Sequence, residues 1–153
     1  MNQATEEMLS QSAEDVLAAL AFAFVMPGEE EPVCDKIAKV FIRFSGPFSG
    51  TLYVTVPCEI VPQLAQNMLG LEDGECTESM QHDALRELLN VICGNLLPRL
   101  AGPEPVFDLS TPDVSIEDCS VEQDQKDDPD VKVRLPLEEG WIEIALVTDR
   151  ENA

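Results

Sequence analysis

Positive charge is what this chain most conspicuously lacks: nine Lys+Arg stand against 30 Asp+Glu, a formal net charge of −21. Nucleic acids are gripped by neutralising phosphates with Lys and Arg, so a chain without a basic cluster and with pI ≈ 4.1 is a poor match for them. Anionic membrane surfaces are disfavoured on the same ground. Histidine is scarcer still. With His82 alone, no Ser-His-Asp or Cys-His relay can be assembled. The five cysteines, Cys34, Cys58, Cys76, Cys93 and Cys119, are odd in number and form no C-x-x-C pair, so neither a disulfide framework nor a zinc site is expected. Cys58 and Cys93, set among apolar neighbours, read as small core residues. Phosphate-binding glycine patterns of the G-x-x-x-x-G-K-[ST] or G-x-G-x-x-G kind are absent as well. Acidic residues precede the first apolar stretch where a secretory signal needs positive ones, and Val16 to Pro27 is too short to span a bilayer. A cytoplasmic protein with no membrane association and no metal or cofactor of its own is expected.

At 153 residues the chain suits one domain, 1–153, with an ordinary apolar fraction of 44%. Thr5 to Phe24 repeats apolar residues at helical spacing, with Val16, Leu17, Leu20 and Phe24 on one side and Pro27-Gly28 as its stop. Lys36 to Phe44 and Gly50 to Val56, separated by Ser45-Gly46-Pro47, read as a β-hairpin. A short helix follows over Glu59 to Leu69, with Gly70 as its stop. After a loop at Glu72-Asp73-Gly74, Thr77 with Met80 three positions on makes only half a capping box, lacking the Glu or Gln, and the main helix follows over roughly Glu78 to Leu97, which Pro98 should end or kink. Val106–Leu109, Val114–Ile116, Val131–Leu137 and Trp141–Val147 read as strands, the last two joined through Leu137-Glu138-Glu139-Gly140. The acid-dense stretch Glu117 to Asp130 reads as a solvated loop, because a calcium hand starting at Asp124 would place Pro129 and Leu135 where Gly and Glu are needed. This order of elements predicts an α+β fold, mostly antiparallel sheet covered by helices.

Within the main helix, Asp83, Glu87, Asn90 and Gly94 fall at i, i+4, i+7 and i+11, which at about 100° per residue confines them to one stripe. Leu85, Leu88, Leu89, Ile92 and Leu96 occupy the opposite, core-facing side. Any amphipathic helix shows polar residues outward, so spacing alone does not mark a site. Two features lean further. Asp83 and Glu87 are like charges one turn apart, with no cation on the stripe to relieve them, and Gly94 costs about 1 kcal/mol against Ala in mid-helix. A partner's cation, approaching closely, would account for both.

The pattern resembles that of the CheX, CheC and FliY chemotaxis phosphatases, which carry Ser or Asp, three residues, Glu, two residues, Asn and a later Pro. This chain reads Asp83-x3-Glu87-x2-Asn90-x21-Pro112, its last gap one residue shorter than the family's. The continuation to Gly94-Asn95, and the hairpin with Ser45-Gly46 and Gly50, are most similar to CheX. CheC carries two copies of the motif. The matching stretch of the first helix here, Ser10-x3-Glu14-x2-Leu17, has Leu in the Asn place, and Leu neither donates nor accepts a hydrogen bond. One working site is therefore expected, as in CheX.

The resemblance implies a CheC-like fold and a phosphatase acting on the aspartyl phosphate of a CheY-like receiver domain, which would bring its own Mg²⁺ and Lys. Asn90 would hold the attacking water in line, Glu87 would engage the receiver's Lys, and Asp83, Gly94 and Pro112 would border the contact. It also implies a homodimer, for which edge strands offer a route by sheet extension. The alternative is a non-catalytic module that binds a response regulator or serves a flagellar switch. Asn90 separates the two, since docking alone needs no water-orienting amide.

Overall fold

Two hairpins laid side by side supply four of the sheet's six strands. In the computed structural model, which describes residues 3–24, 35–72, 74–118, 130–137 and 140–149, β1 (Lys36–Ser45) and β2 (Gly50–Pro57) pair antiparallel with Val40 opposite Val54 and Ile42 opposite Leu52. Period-two alternation sends these four, with Ala38, Phe44 and Val56, to one face, where all are buried. The second hairpin, β5 (Val131–Leu137) with β6 (Gly140–Thr148), adds Val133, Ile142, Ile144 and Leu146 to that face. β6 joins the hairpins by pairing with β2, Val54 lying opposite Ile144. On the far side of β1 lie β3 (Asp108–Leu109) and β4 (Asp113–Asp118), which gives a six-stranded antiparallel sheet with β5 at its other edge. Gly50 is required where the strands cross, since a Cβ there would lie 2.5 Å from the Val147 carbonyl oxygen.

Three helices cover the apolar face: α1 (Gln3–Ala21), α2 (Val61–Leu69, preceded by a 3₁₀ turn over Cys58–Ile60) and α3 (Glu78–Ala101). α3 lies over β1, β2 and β4, α1 reaches β5, and the helices pack against one another. The α+β expectation, an antiparallel sheet covered by helices, is met. No helix among the described residues is long and apolar enough to cross a membrane.

Several boundaries differ from the sequence expectation, each for a local reason. α1 stops at Ala21 because Phe22 adopts φ 53, the left-handed conformation that usually calls for Gly, and the Ala23 N–H reaches back to the Leu17 carbonyl at 3.1 Å. Phe24, expected on the apolar side, is exposed. α3 runs through Pro98 to Ala101. Proline withholds the N–H that would bond the Gly94 carbonyl, but Gly94 and Pro98 both face solvent, where water can satisfy that oxygen. The strand expected at Val106–Leu109 shrinks to Asp108–Leu109, with Val106 exposed, whereas Val114–Ile116 lengthens to Asp113–Asp118 along β1. The Pro27-Gly28 stop, most of the Glu117–Asp130 segment, Asp73, the Glu138-Glu139 turn, Cys34 and Cys119 lie outside the described residues.

The two long helices are also stitched by polar groups. Arg99 of α3 donates from one guanidinium nitrogen to the buried Ser12 hydroxyl at 3.0 Å and from the other to Asp15 at 2.7 Å. The Arg99 hydrogen bond, helped by a second from Gln11, holds the Asp15 carboxyl below its ordinary pKa of 3.8. A carboxylate with a depressed folded pKa stabilises the fold above its unfolded value and loses that contribution as pH falls through the folded one. Wild type is therefore expected to melt higher than Asp15→Asn at neutral pH, and the two should converge once the pH is taken well below 3.8. Thermal melts across that range would show it, and a constant offset at every pH would refute the linkage.

Candidate functional site

Thr77 begins α3 by accepting the Met80 backbone N–H at 3.2 Å, which satisfies one of the donors that a helix start leaves open. From there Leu85, Leu88, Leu89, Ile92 and Leu96 recur with the helical period, and all are buried in the core shared with the sheet. Fully burying each such side chain is worth about 1.5–3 kcal/mol. The helix is thereby fixed in rotation as well as position. Cys93 belongs to this buried side, and burial pushes its thiol up to about 12, so it is a core residue and not a nucleophile.

Fixing the apolar face determines where the stripe points. Asp83, Glu87, Asn90 and Gly94 are all exposed, on the side turned from the sheet. Among the described residues neither Glu87 nor Asn90 makes a side-chain hydrogen bond or ion pair. Three apart on one helix, their side chains are neighbours, with Cβ atoms about 5–6 Å apart. A carboxylate and a carboxamide thus stand side by side in solvent on a rigid support, one able to accept from a cation and the other able to donate and accept.

Asp83 differs from expectation. Arg86, from the flank of the same helix, bonds it at 2.8 Å, so the Asp83/Glu87 repulsion is partly relieved within the protein. The Asp83-x2-Arg86 spacing is the signal that finds this pair, because residues three apart share a helix face and an acid preceding a base suits the helix dipole. Glu87 has no such ion-pair partner among the described residues.

A Cβ on Gly94 would meet nothing within 4 Å. Among the described residues no packing needs this glycine. Gly94→Ala should therefore raise stability by about 1 kcal/mol, seen as a higher denaturant midpoint; a lower midpoint would mean that the backbone there is not ordinary helix.

Pro112 is not on the stripe. It is half-buried in the link between β3 and β4, one residue before the strand that α3 touches. The link is pinned instead by Ser110, whose hydroxyl accepts the Arg43 backbone N–H and whose own N–H donates to the Arg43 carbonyl, both at 2.9 Å. In the first-helix counterpart, Ser10 and Glu14 are half-buried and Leu17 is fully buried in the core. That position is closed by packing, beyond having lost its amide.

No group of three or more His, Cys, Asp or Glu among the described residues is placed to hold a metal ion.

These features define a CheC-like fold. It superposes on a CheC-like superfamily protein from Shewanella sp. PV-4 with TM-score 0.71 at 22% identity, covering 98% of this chain and 100% of that one. A chemotaxis protein CheX from Desulfovibrio desulfuricans aligns with TM-score 0.73 at 17% identity, over 95% of this chain and 99% of that one. A third, the complex of CheX with CheY, BeF3 and Mg²⁺ from Borrelia burgdorferi, aligns with TM-score 0.68 at 19% identity, over 94% and 97%. No curated protein matches the chain. Residues 38–132, more than half of the sequence, match the family described as Chemotaxis phosphatase CheX, and the chain belongs to that family.

Proposed function

We propose that this protein hydrolyses the aspartyl phosphate of a CheY-like receiver domain by positioning the attacking water. An acyl phosphate needs little covalent help. In-line attack depends on where the water is held and on how the phosphoryl charge is met. The receiver supplies Mg²⁺, which neutralises that charge, together with a Lys beside the phosphoryl group. Asn90 inserts its carboxamide beside the phosphoryl group and holds water in line, donating or accepting as the geometry requires. Glu87 engages the receiver's Lys and sets the register in which Asn90 arrives. Gly94, one turn beyond Asn90, lets the partner surface approach the helix backbone, while Asp83 and, through the shape of its loop, Pro112 border the contact. The same protein pairs with a second copy by sheet extension along an edge strand.

The observation that carries this reading is the pairing of Glu87 and Asn90, exposed and unbonded among the described residues, on a helix that the core holds fixed. The family match and the CheX–CheY complex among the structural relatives support a receiver as the partner. Mixing the purified protein with phosphorylated receivers and timing the loss of the acyl phosphate tests it. Acceleration above spontaneous hydrolysis is expected. Stable binding of a phosphorylated receiver with no acceleration would favour the non-catalytic module instead.

A further inference from the structure

Cations are few in this chain, and most of those with described partners are engaged away from the stripe. Arg43 pairs with Asp149, Arg99 with Asp15, and Lys132 and Arg134 both with Glu143. Arg86 is different. It stands one helical turn before Asn90, and its guanidinium bonds Asp83 at 2.8 Å with the two side chains 39% and 68% exposed. A pair so open to water is held weakly and exchanges readily for a better acceptor.

The partner in the reading above has such acceptors. A site that binds Mg²⁺ beside a phosphoryl group is built from carboxylates, because the ion takes hard oxygen ligands. Two strongly acidic surfaces therefore have to meet, and like fields slow encounter. We propose that Arg86 is a docking residue, whose guanidinium leaves Asp83 on association and forks onto a carboxylate at the rim of the receiver's Mg²⁺ site. The planar fork of Arg matches a carboxylate two bonds at a time, which fixes orientation as well as adding attraction. This rests on the receiver phosphatase reading, and it assigns to the same helix the local attraction that a −21 molecule otherwise denies its partner.

Steady-state dephosphorylation of a phosphorylated receiver by wild type, Arg86→Ala, Arg86→Lys, Asp83→Ala and the Asp83→Ala/Arg86→Ala double variant tests it. Arg86→Ala should raise KM about fivefold with kcat unchanged, as loss of a rim ion pair does. Arg86→Lys should recover part of the loss, and Asp83→Ala, which frees the guanidinium, should lower KM. Wild type and Arg86→Ala should converge near 1 M salt, where the screening length is about 3 Å. If Asp83→Ala raises KM as much as Arg86→Ala, and the double variant adds nothing, Arg86 serves only to hold Asp83 and the proposal fails. An unchanged KM or a fall confined to kcat also overturns it, with the phosphatase reading intact. A wild-type protein inactive on every receiver defeats both together.

Discussion

Asn90→Ala is expected to lower kcat by about 10²-fold or more, the usual cost of removing one preorganised polar group from a reacting centre. The fold should survive unharmed. Asn90 is exposed and bonds to nothing among the described residues, and Ala is the better helix former, so the denaturant midpoint should hold or rise slightly. That combination is what makes the test sharp, because lost activity cannot then be charged to lost structure. Binding should survive too, since Glu87 and the rest of the surface remain. The assay is single-turnover loss of the acyl phosphate at saturating enzyme, where docking no longer limits the rate. Asn90→Ala turning over like wild type would end the catalytic assignment.

The stripe was legible in the sequence because its evidence is periodic. Leu85, Leu88, Leu89, Ile92 and Leu96 fix one face of a long helix, and whatever lies opposite must be exposed. The two hairpins were legible for the same reason, with a period of two. What the sequence concealed was non-local or idiosyncratic. The pairing of β2 with β6, which joins the hairpins, links residues far apart in the chain and leaves no periodic trace. The stop of α1 rests on Phe22 in a left-handed conformation that Gly usually supplies. Pro98 reads as a helix terminator, yet on the solvated face where it sits water can satisfy the Gly94 carbonyl that it leaves without a donor. Arg86 lies off the stripe's own periodicity and reaches Asp83 from the flank of the helix. Pro112 came from the resemblance and not from periodicity, and it is the one site residue that the fold sets apart from the helix.

Glu87→Ala is expected to act on the other half of the reaction. If this carboxylate meets a lysine inside the closed contact, truncating it strands that cation without a partner, at a cost of about 2 kcal/mol or more. That is roughly 30-fold in affinity for the phosphorylated receiver, read as a higher KM and a faster dissociation rate. At saturating enzyme the rate of acyl phosphate loss should stay near that of wild type, the reverse of the Asn90 pattern. Glu87→Gln distinguishes charge from shape: an amide can still accept from an ammonium, so partial recovery is expected at low salt. The two variants would then divide the helix by function, one position governing arrival and the next turn governing chemistry. Equal falls in kcat for both, with KM unmoved, would mean that Glu87 also acts at the reacting phosphoryl group, and the division of roles along α3 would have to be redrawn.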